Sequence, residues 1–279
     1  MPRKLPVPTV SEEGPPNIWN AFGLSSDPFF QEELRPGPTA LYPVSLHVGR
    51  EEELRLLLRQ IGGAPSTRAI VEGAAGLGKT SLINKLKAEV AGHLLTHPDP
   101  VRVTADTTVA GFTADVLRIV LRIRAALELD GDDFWRRTAR IVEGEDTVAA
   151  GVTIGPVGLQ YEGGRIPAEA PMGTLYDTVA EALRRMRDET GAPLLIHVNN
   201  LENLSETDAD RAANLLRDLR DLLLIPGAHW VFVGALGVDR QVFRRHDQVG
   251  GIFPAALVLD PLSPGQVAEL LERRYAYLR

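Results

Sequence analysis

The segment Gly73-Ala74-Ala75-Gly76-Leu77-Gly78-Lys79-Thr80 fits the pattern G-x-x-x-x-G-K-[ST] at every fixed position. Arg68-Ala69-Ile70-Val71-Glu72 before it reads as a short buried strand, and Ser81-Leu82-Ile83-Asn84-Lys85-Leu86-Lys87 after it reads as a helix. A strand that turns through glycines straight into a helix leaves few folds open. The glycines let the backbone wrap closely, so that its N–H groups point inward, and the helix N-terminus adds a favourable dipole for anionic oxygens. In such a turn Lys79 reaches the β- and γ-phosphates of a nucleotide, and the Thr80 hydroxyl ligates Mg²⁺. Gly73, Ala75, Gly76, Gly78, Lys79, Thr80 and Ser81 are therefore the candidate phosphate-binding residues. The plain alternative is a glycine-rich turn that binds nothing. The complete pattern between strand and helix argues against it.

Bulk properties narrow the class. The chain has 279 residues, 44% hydrophobic and 24% charged, which is ordinary for a soluble globular protein with a real core. A formal charge of −7 disfavours a strongly basic nucleic-acid-binding domain while leaving room for a local basic patch. There is no cysteine, hence no disulfide framework and no thiolate metal site. The opening Met-Pro-Arg-Lys-Leu-Pro-Val-Pro lacks the apolar core of a signal peptide, and no apolar run approaches the length of a membrane span. These features lead us to expect a cytoplasmic chain with no membrane partner.

Residues 1–48 form a distinct region. Nine of the 20 prolines fall there, which disfavours long helices. Trp19, Phe22, Phe29, Phe30 and Tyr42 are too apolar for a free tail, so the reading is an extended arm whose aromatics dock on this domain or on a neighbouring subunit. The segment His47–Leu54 starts a helix, with Leu54, Leu57, Leu58 and Ile61 in one stripe and Gly62-Gly63 ending it. Val101–Ala105 reads as a second strand and residues 111–143 as helical, with six arginines from Arg118 to Arg140 interspersed, which read as a solvated face or, alternatively, as a nucleic-acid contact. Val152, Ile154, Leu159 and Tyr161 alternate around Gly155-Pro156, which suggests a β-hairpin insertion at about 148–163. Leu194–Val198 is an apolar run suited to a central parallel strand, ending in Asn199-Asn200-Leu201-Glu202-Asn203. Ser205 is expected to cap a long helix through Leu223. His229–Gly234 and Ala256–Leu259 read as further strands, and Ser263-Pro264-Gly265-Gln266 as a capping box opening a last helix. Strands alternating with helices imply a three-layer α/β/α domain with a five-stranded, mostly parallel sheet. The phosphate loop and the Asn199-Asn200 corner both lie at carboxyl ends of strands, where such sheets bind ligands.

With these residues in view, the chain resembles the AAA+/STAND group of P-loop ATPases, in particular bacterial relatives of the origin-recognition and archaeal replication-initiator ATPases. The resemblance rests on Val48-Gly49-Arg50-Glu51-Glu52-Glu53-Leu54, the phosphate loop, the Leu194–Asn203 strand end, and Phe253-Pro254 leading to Leu259-Asp260-Pro261-Leu262. The arm's Phe-Gly-Leu-Ser-Ser-Asp-Pro-Phe is also similar to segments preceding the ATPase domain in DNA-transposition and secretion-associated AAA+ proteins. The resemblance implies an ATPase domain over 49–262 behind the 1–48 arm, with 263–279 as the first helix of a minimal or truncated lid. It places Gly49 and Arg50 near the adenine and makes the strand ending at Val198 the one that carries an acidic pair in the family.

Here the chain departs from that pattern. An aspartate that holds Mg²⁺ through water and a glutamate that polarises the attacking water are expected, and the chain offers Asn199 and Asn200. An amide can ligate Mg²⁺-bound water but cannot take a proton. Glu202 lies two residues on and reads either as a substitute or as a surface residue at a helix start. Arg244, with Arg245 and His246, falls where the family carries an arginine finger; an ordinary surface pair is the alternative. Gly234–Gly237 offers no polar γ-phosphate sensor, with Asp239 the nearest candidate, and only Arg273 and Arg274 lie near a lid arginine's place.

The expected function is thus an ATP- and Mg²⁺-binding regulatory switch. It would assemble with itself or a protein partner as nucleotide binds, with slow or impaired hydrolysis. An active DNA-associated ATPase of the initiator, loader or transposition-regulator type is the alternative. A small-molecule kinase fits the phosphate loop alone. A GTPase would need an Asn-Lys-x-Asp element, and the one Asn-Lys pair, Asn84-Lys85, lies in the helix after the loop.

Overall fold

The structure is a computed structural model that describes residues 17–37, 39–143, 172–205 and 209–279. The hairpin expected at 148–163 lies outside these residues. The chain forms two compact units: one spans 33–261, and the other combines the two ends, of which 17–32 and 262–279 are described.

The larger unit is built on a parallel sheet. Its strands are β1 (Arg68–Gly73), β2 (Leu95–Thr96), β3 (Val101–Arg102), β4 (Leu194–Asn199), β5 (Ala228–Gly234) and β6 (Leu257–Leu259). Their order is β2-β4-β5-β1-β6, with β3 also on β4. Leu95 pairs with Leu194 and Val101 with Val198, so β2 and β3 share one edge position along β4. The turn His97-Pro98-Asp99-Pro100 separates them, and its prolines lack the N–H that a continuous strand needs. The sequence pattern reads as five strands, with Val101–Ala105 the second. The edge is instead two short pieces.

Helices cover both faces. They are α1 (Glu51–Gly62), α2 (Lys79–Glu89), α3 (Val109–Ala126), α4 (Asp133–Glu143), α5 (Met172–Thr190), α6 (Glu202–Ser205), α7 (Ala209–Asp218), α8 (Arg220–Leu223), α9 (Val238–Gln241) and α10 (Asp247–Gly250). The pleat sorts the core. Ala69, Val71, Leu195, Val231 and Val233 face α1 and α2, whereas Ile70, Leu194, Ile196, Val198, Trp230 and Phe232 face the larger core under α3, α5 and α7. The central strands β1, β4 and β5 carry apolar residues on both sides, as a parallel sheet between helical layers requires.

Two helical readings are corrected. The continuous run over 111–143 breaks at residues 127–132. There Glu128 takes a positive φ of 53°, and the Asp132 carboxylate accepts from the N–H groups of Phe134 and Trp135, a cap that starts α4. Ser205 ends α6 rather than capping one long helix, and the following leucines are divided between α7 and α8. The arginine face is also only partly solvated. Arg124 is buried, ion-paired with Glu189 and stacked 4.3 Å from the Trp135 ring, so it joins α3, α4 and α5. Arg118 is bonded to Asp115 and donates to the Val142 carbonyl at 3.0 Å.

The smaller unit packs a short 3₁₀ turn, Ile18–Phe22, with α11 (Pro264–Leu278). The N–H and Oγ of Ser25 both donate to the Leu278 carbonyl, at 2.7 and 2.9 Å. Arg274 donates to the carbonyls of Pro28 and Phe30 and stacks 3.8 Å from the Phe30 ring. Leu24, Phe30 and Leu278 are buried, while Phe22 and Phe29 stay exposed beside Trp19. The capping box at Ser263 and Gln266, with Pro264 at the first helical position, is present as the sequence suggested.

Candidate functional site

The phosphate loop joins β1 to α2 at the carboxyl edge of the sheet. Gly76 and Gly78 both take φ 79°, a left-handed conformation that glycine adopts without steric cost. Gly73 is tight for another reason. A Cβ there would meet the Leu259 carbonyl oxygen at 3.1 Å and its Cβ at 3.2 Å, because β1 and β6 pair Gly73 with Leu259. Lys79 opens α2 and folds back on the loop, donating to the carbonyls of Gly73 and Ala74 at 2.8 and 2.9 Å. Burial lowers the Lys79 ammonium from its usual range, and the Glu202 carboxylate opposes that by favouring the charged form. Thr80 follows in the first turn of α2. Ser81 accepts from the Leu34 N–H at 3.1 Å through its hydroxyl, so its side chain anchors the segment crossing α2.

The corner at the end of β4 is two strands away, across β5. Strand alternation puts Leu195 and Asn199 on the face that carries α2. The Asn199 Oδ1 accepts from the Asn200 N–H at 2.9 Å. Asn200 takes φ 66°, which asparagine tolerates better than most side chains. Asn203 Nδ2 donates to the Val103 carbonyl at 3.0 Å, and the Val103 N–H donates back to the Asn199 carbonyl at 3.1 Å. The corner is a closed amide turn pinned to the neighbouring edge strand. Glu202 begins α6, and its charge reaches Lys79. The structure thus sets Lys79, Glu202 and the Asn199-Asn200 turn along one edge of the sheet.

Arg244 is held within its own chain. It forms an ion pair with Asp239 at 3.0 Å and donates to the carbonyls of Gly250, Phe253 and Pro254 at 2.7, 3.2 and 2.6 Å. Its neighbour Phe243 is buried edge-on against Phe232 and Phe253. This arrangement clamps the 250–254 loop and differs from a side chain extended toward another subunit. Arg245 is ion-paired with Asp210. Sequence reasoning missed Glu72. This buried carboxylate precedes Gly73 and accepts from the Asp239 N–H at 3.0 Å, linking the end of β1 to α9. The available signal was a charged residue closing an otherwise apolar strand.

Gly49 and Arg50 both take φ 69° at the start of α1. The Arg50 guanidinium lies on the phosphate loop's side of the unit, where it meets the Leu77 carbonyl. Arg273 pairs with Glu269 on α11. Among the described residues no helix is long and apolar enough to cross a membrane, and no cluster of histidine and acidic residues could hold a metal ion.

The model of the AAA ATPase domain matches residues 47–225. The ORC2 protein of Aeropyrum pernix, solved in ADPNP–ADP complexes, is 16% identical, with 90% of this chain and 55% of that chain covered and a TM-score of 0.51. Cdc6p of Pyrobaculum aerophilum is 16% identical over 86% of this chain and 52% of that one, at a TM-score of 0.46. The chain spans about half the length of these proteins. No curated protein matches. The likeness to ORC2 bears on fold, and the domain match extends over more than half of the sequence from the Gly49-Arg50 box through the β4 corner. The chain belongs to the AAA ATPase domain family.

Proposed function

We propose that this chain is an ATP-binding switch with slow hydrolysis, which assembles with itself or a protein partner when nucleotide is bound. The observation that carries the proposal is the contrast along one sheet edge: a complete phosphate loop and an amide-only corner at β4. The residues present fit a phosphate chain with its cation. The loop N–H groups, the Lys79 ammonium and the Thr80 hydroxyl would hold them, Lys79 exchanging the carbonyls of Gly73 and Ala74 for phosphate oxygens. Mg²⁺, when bound, supplies charge neutralisation at the phosphates.

The Asn199 amide would face the cation through water, with one lone pair of Oδ1 already given to Asn200. Neither asparagine accepts a proton at neutral pH, so the corner cannot act as a general base. Glu202 is the remaining carboxylate in electrostatic reach of Lys79. A general base contributes about 10²–10⁴ in rate, so a corner without one sustains the bound state. Arg244 would have to leave three carbonyls to serve a neighbouring site.

Light scattering with and without MgATP tests the reading. The mass should rise with ATP in the wild type and not in Lys79→Ala. ATP binding without any change of mass removes assembly from the account, and absence of ATP binding removes the nucleotide site.

A further inference from the structure

Arg50 occupies a backbone conformation that disfavours side chains, with φ 69° and ψ 16°, directly after a glycine at the same φ. The residue is nonetheless an arginine, and it is only 7% exposed. A buried guanidinium has to be satisfied by acceptors. Its Nη1 pairs with the Glu53 carboxylate at 3.0 Å. Its Nη2 donates to the Asp260 carbonyl at 2.5 Å and to the Leu77 carbonyl at 3.4 Å. Leu77 is the residue between Gly76 and Gly78, at the crown of the phosphate loop. Asp260 is the first residue past β6, the strand on which Gly73 rests. One planar group thus joins the start of α1, the crown of the loop and the end of β6.

We infer that Arg50 is a positioning residue for the phosphate loop: its guanidinium holds the crown between the two φ-positive glycines and so sets the cradle for the phosphate chain. This rests on the reading that the loop binds ATP, and it assigns the arginine to the loop rather than to the base. Two glycines in five residues leave the crown free to rearrange, and the Leu77 carbonyl is the acceptor in that crown that the guanidinium holds in place. A lysine cannot replace the fork, because a point ammonium does not span two carbonyls and a carboxylate in one plane.

The test combines amide hydrogen exchange on the ligand-free chain with titration of MgATP, for the wild type, Arg50→Gly, Arg50→Lys, Glu53→Gln and Lys79→Ala. Glycine suits φ 69°, so Arg50→Gly removes the guanidinium without adding backbone strain. The expected result is exchange at residues 74–78 at least several-fold faster in Arg50→Gly and Arg50→Lys, with β4 and β5 unchanged. MgATP affinity should fall about tenfold in both variants. Glu53→Gln should shift both readouts in the same direction by less, and it carries the test if Arg50→Gly fails to fold. Loss of ATP affinity with loop exchange unchanged would make Arg50 a contact to the base and overturn the inference, as would unchanged affinity. Lys79→Ala separates the two levels: if it leaves MgATP binding intact, the loop reading itself fails, whereas if it abolishes binding while the Arg50 variants bind normally, only the positioning role fails.

Discussion

The phosphate loop and the β4 corner flank β5 at the same edge of the sheet and use their polar groups in different ways. In the loop, shape comes from glycine backbone conformation, and the Lys79 ammonium rests on carbonyls it can exchange. In the corner, shape comes from side chains. Asn199 closes on Asn200, Asn203 ties the turn to Val103, and Asn200 supplies the left-handed residue. The corner spends one lone pair of the Asn199 Oδ1 and the Asn203 amide on its own turn. A site that keeps one half open and closes the other is suited to holding a triphosphate more than to cleaving it.

The largest expected effect comes from re-acidifying the corner. The double variant Asn199→Asp with Asn200→Glu should raise phosphate release by about 10²-fold, the low end of what a general base contributes. It should lose about 1 kcal/mol of stability, since glutamate at φ 66° is strained. Unchanged turnover would mean that the amides are not what limits hydrolysis. Next is Lys79→Ala. Losing a charge-assisted bond to phosphate should weaken MgATP binding by about 10- to 100-fold in calorimetry, corresponding to about 1.5–3 kcal/mol. A smaller but measurable loss would show that the backbone N–H groups supply most of the cradle, whereas intact binding would remove the loop as the site.

Glu202→Gln has a smaller effect with an informative sign. Its charge acts on Lys79, and removing an anion beside the phosphates should tighten MgATP binding by roughly fivefold, or about 1 kcal/mol. Weakened binding would show instead that Glu202 positions Lys79. The smallest effect concerns the turn alone. Asn200→Gly should melt near the wild type, whereas Asn200→Ala should be less stable by about 1 kcal/mol by thermal denaturation, because alanine gains nothing from a positive φ. Equal stability of the two would remove the left-handed residue as the reason for asparagine.

Much of the fold was legible because the informative signals are local. The phosphate pattern, the apolar β4 run and the Ser263 capping box each occupy a few consecutive residues, and each stands where the pattern put it. What stayed hidden depends on distant partners. Periodicity makes Arg124 a surface residue; Glu189, 65 positions away, and Trp135 bring it inside. The break at 127–132 is a local exception: Glu128 takes a positive φ there and Asp132 caps the start of α4, neither of which interrupts the helical apolar pattern. Arg50 reads as part of a box from its neighbours, but Leu77 and Asp260 define what its side chain does, and both offer only carbonyls that no pattern of side chains records. Arg244 reads from the sequence as either an arginine finger or a surface residue, and its bonds to the carbonyls of Gly250 and Pro254 are likewise to backbone oxygens that no side-chain pattern records.

On the proposed reading, the intact loop binds ATP while the amide corner does not drive its cleavage. The most direct test measures MgATP binding by calorimetry and phosphate release on the same preparation, with Lys79→Ala alongside. Binding should be saturable and disrupted by Lys79→Ala, with turnover at least roughly 10²-fold below the typical enzyme value of about 10 s⁻¹. Turnover near that typical value, abolished by Lys79→Ala, would contradict it, as would a wild-type chain that binds no ATP.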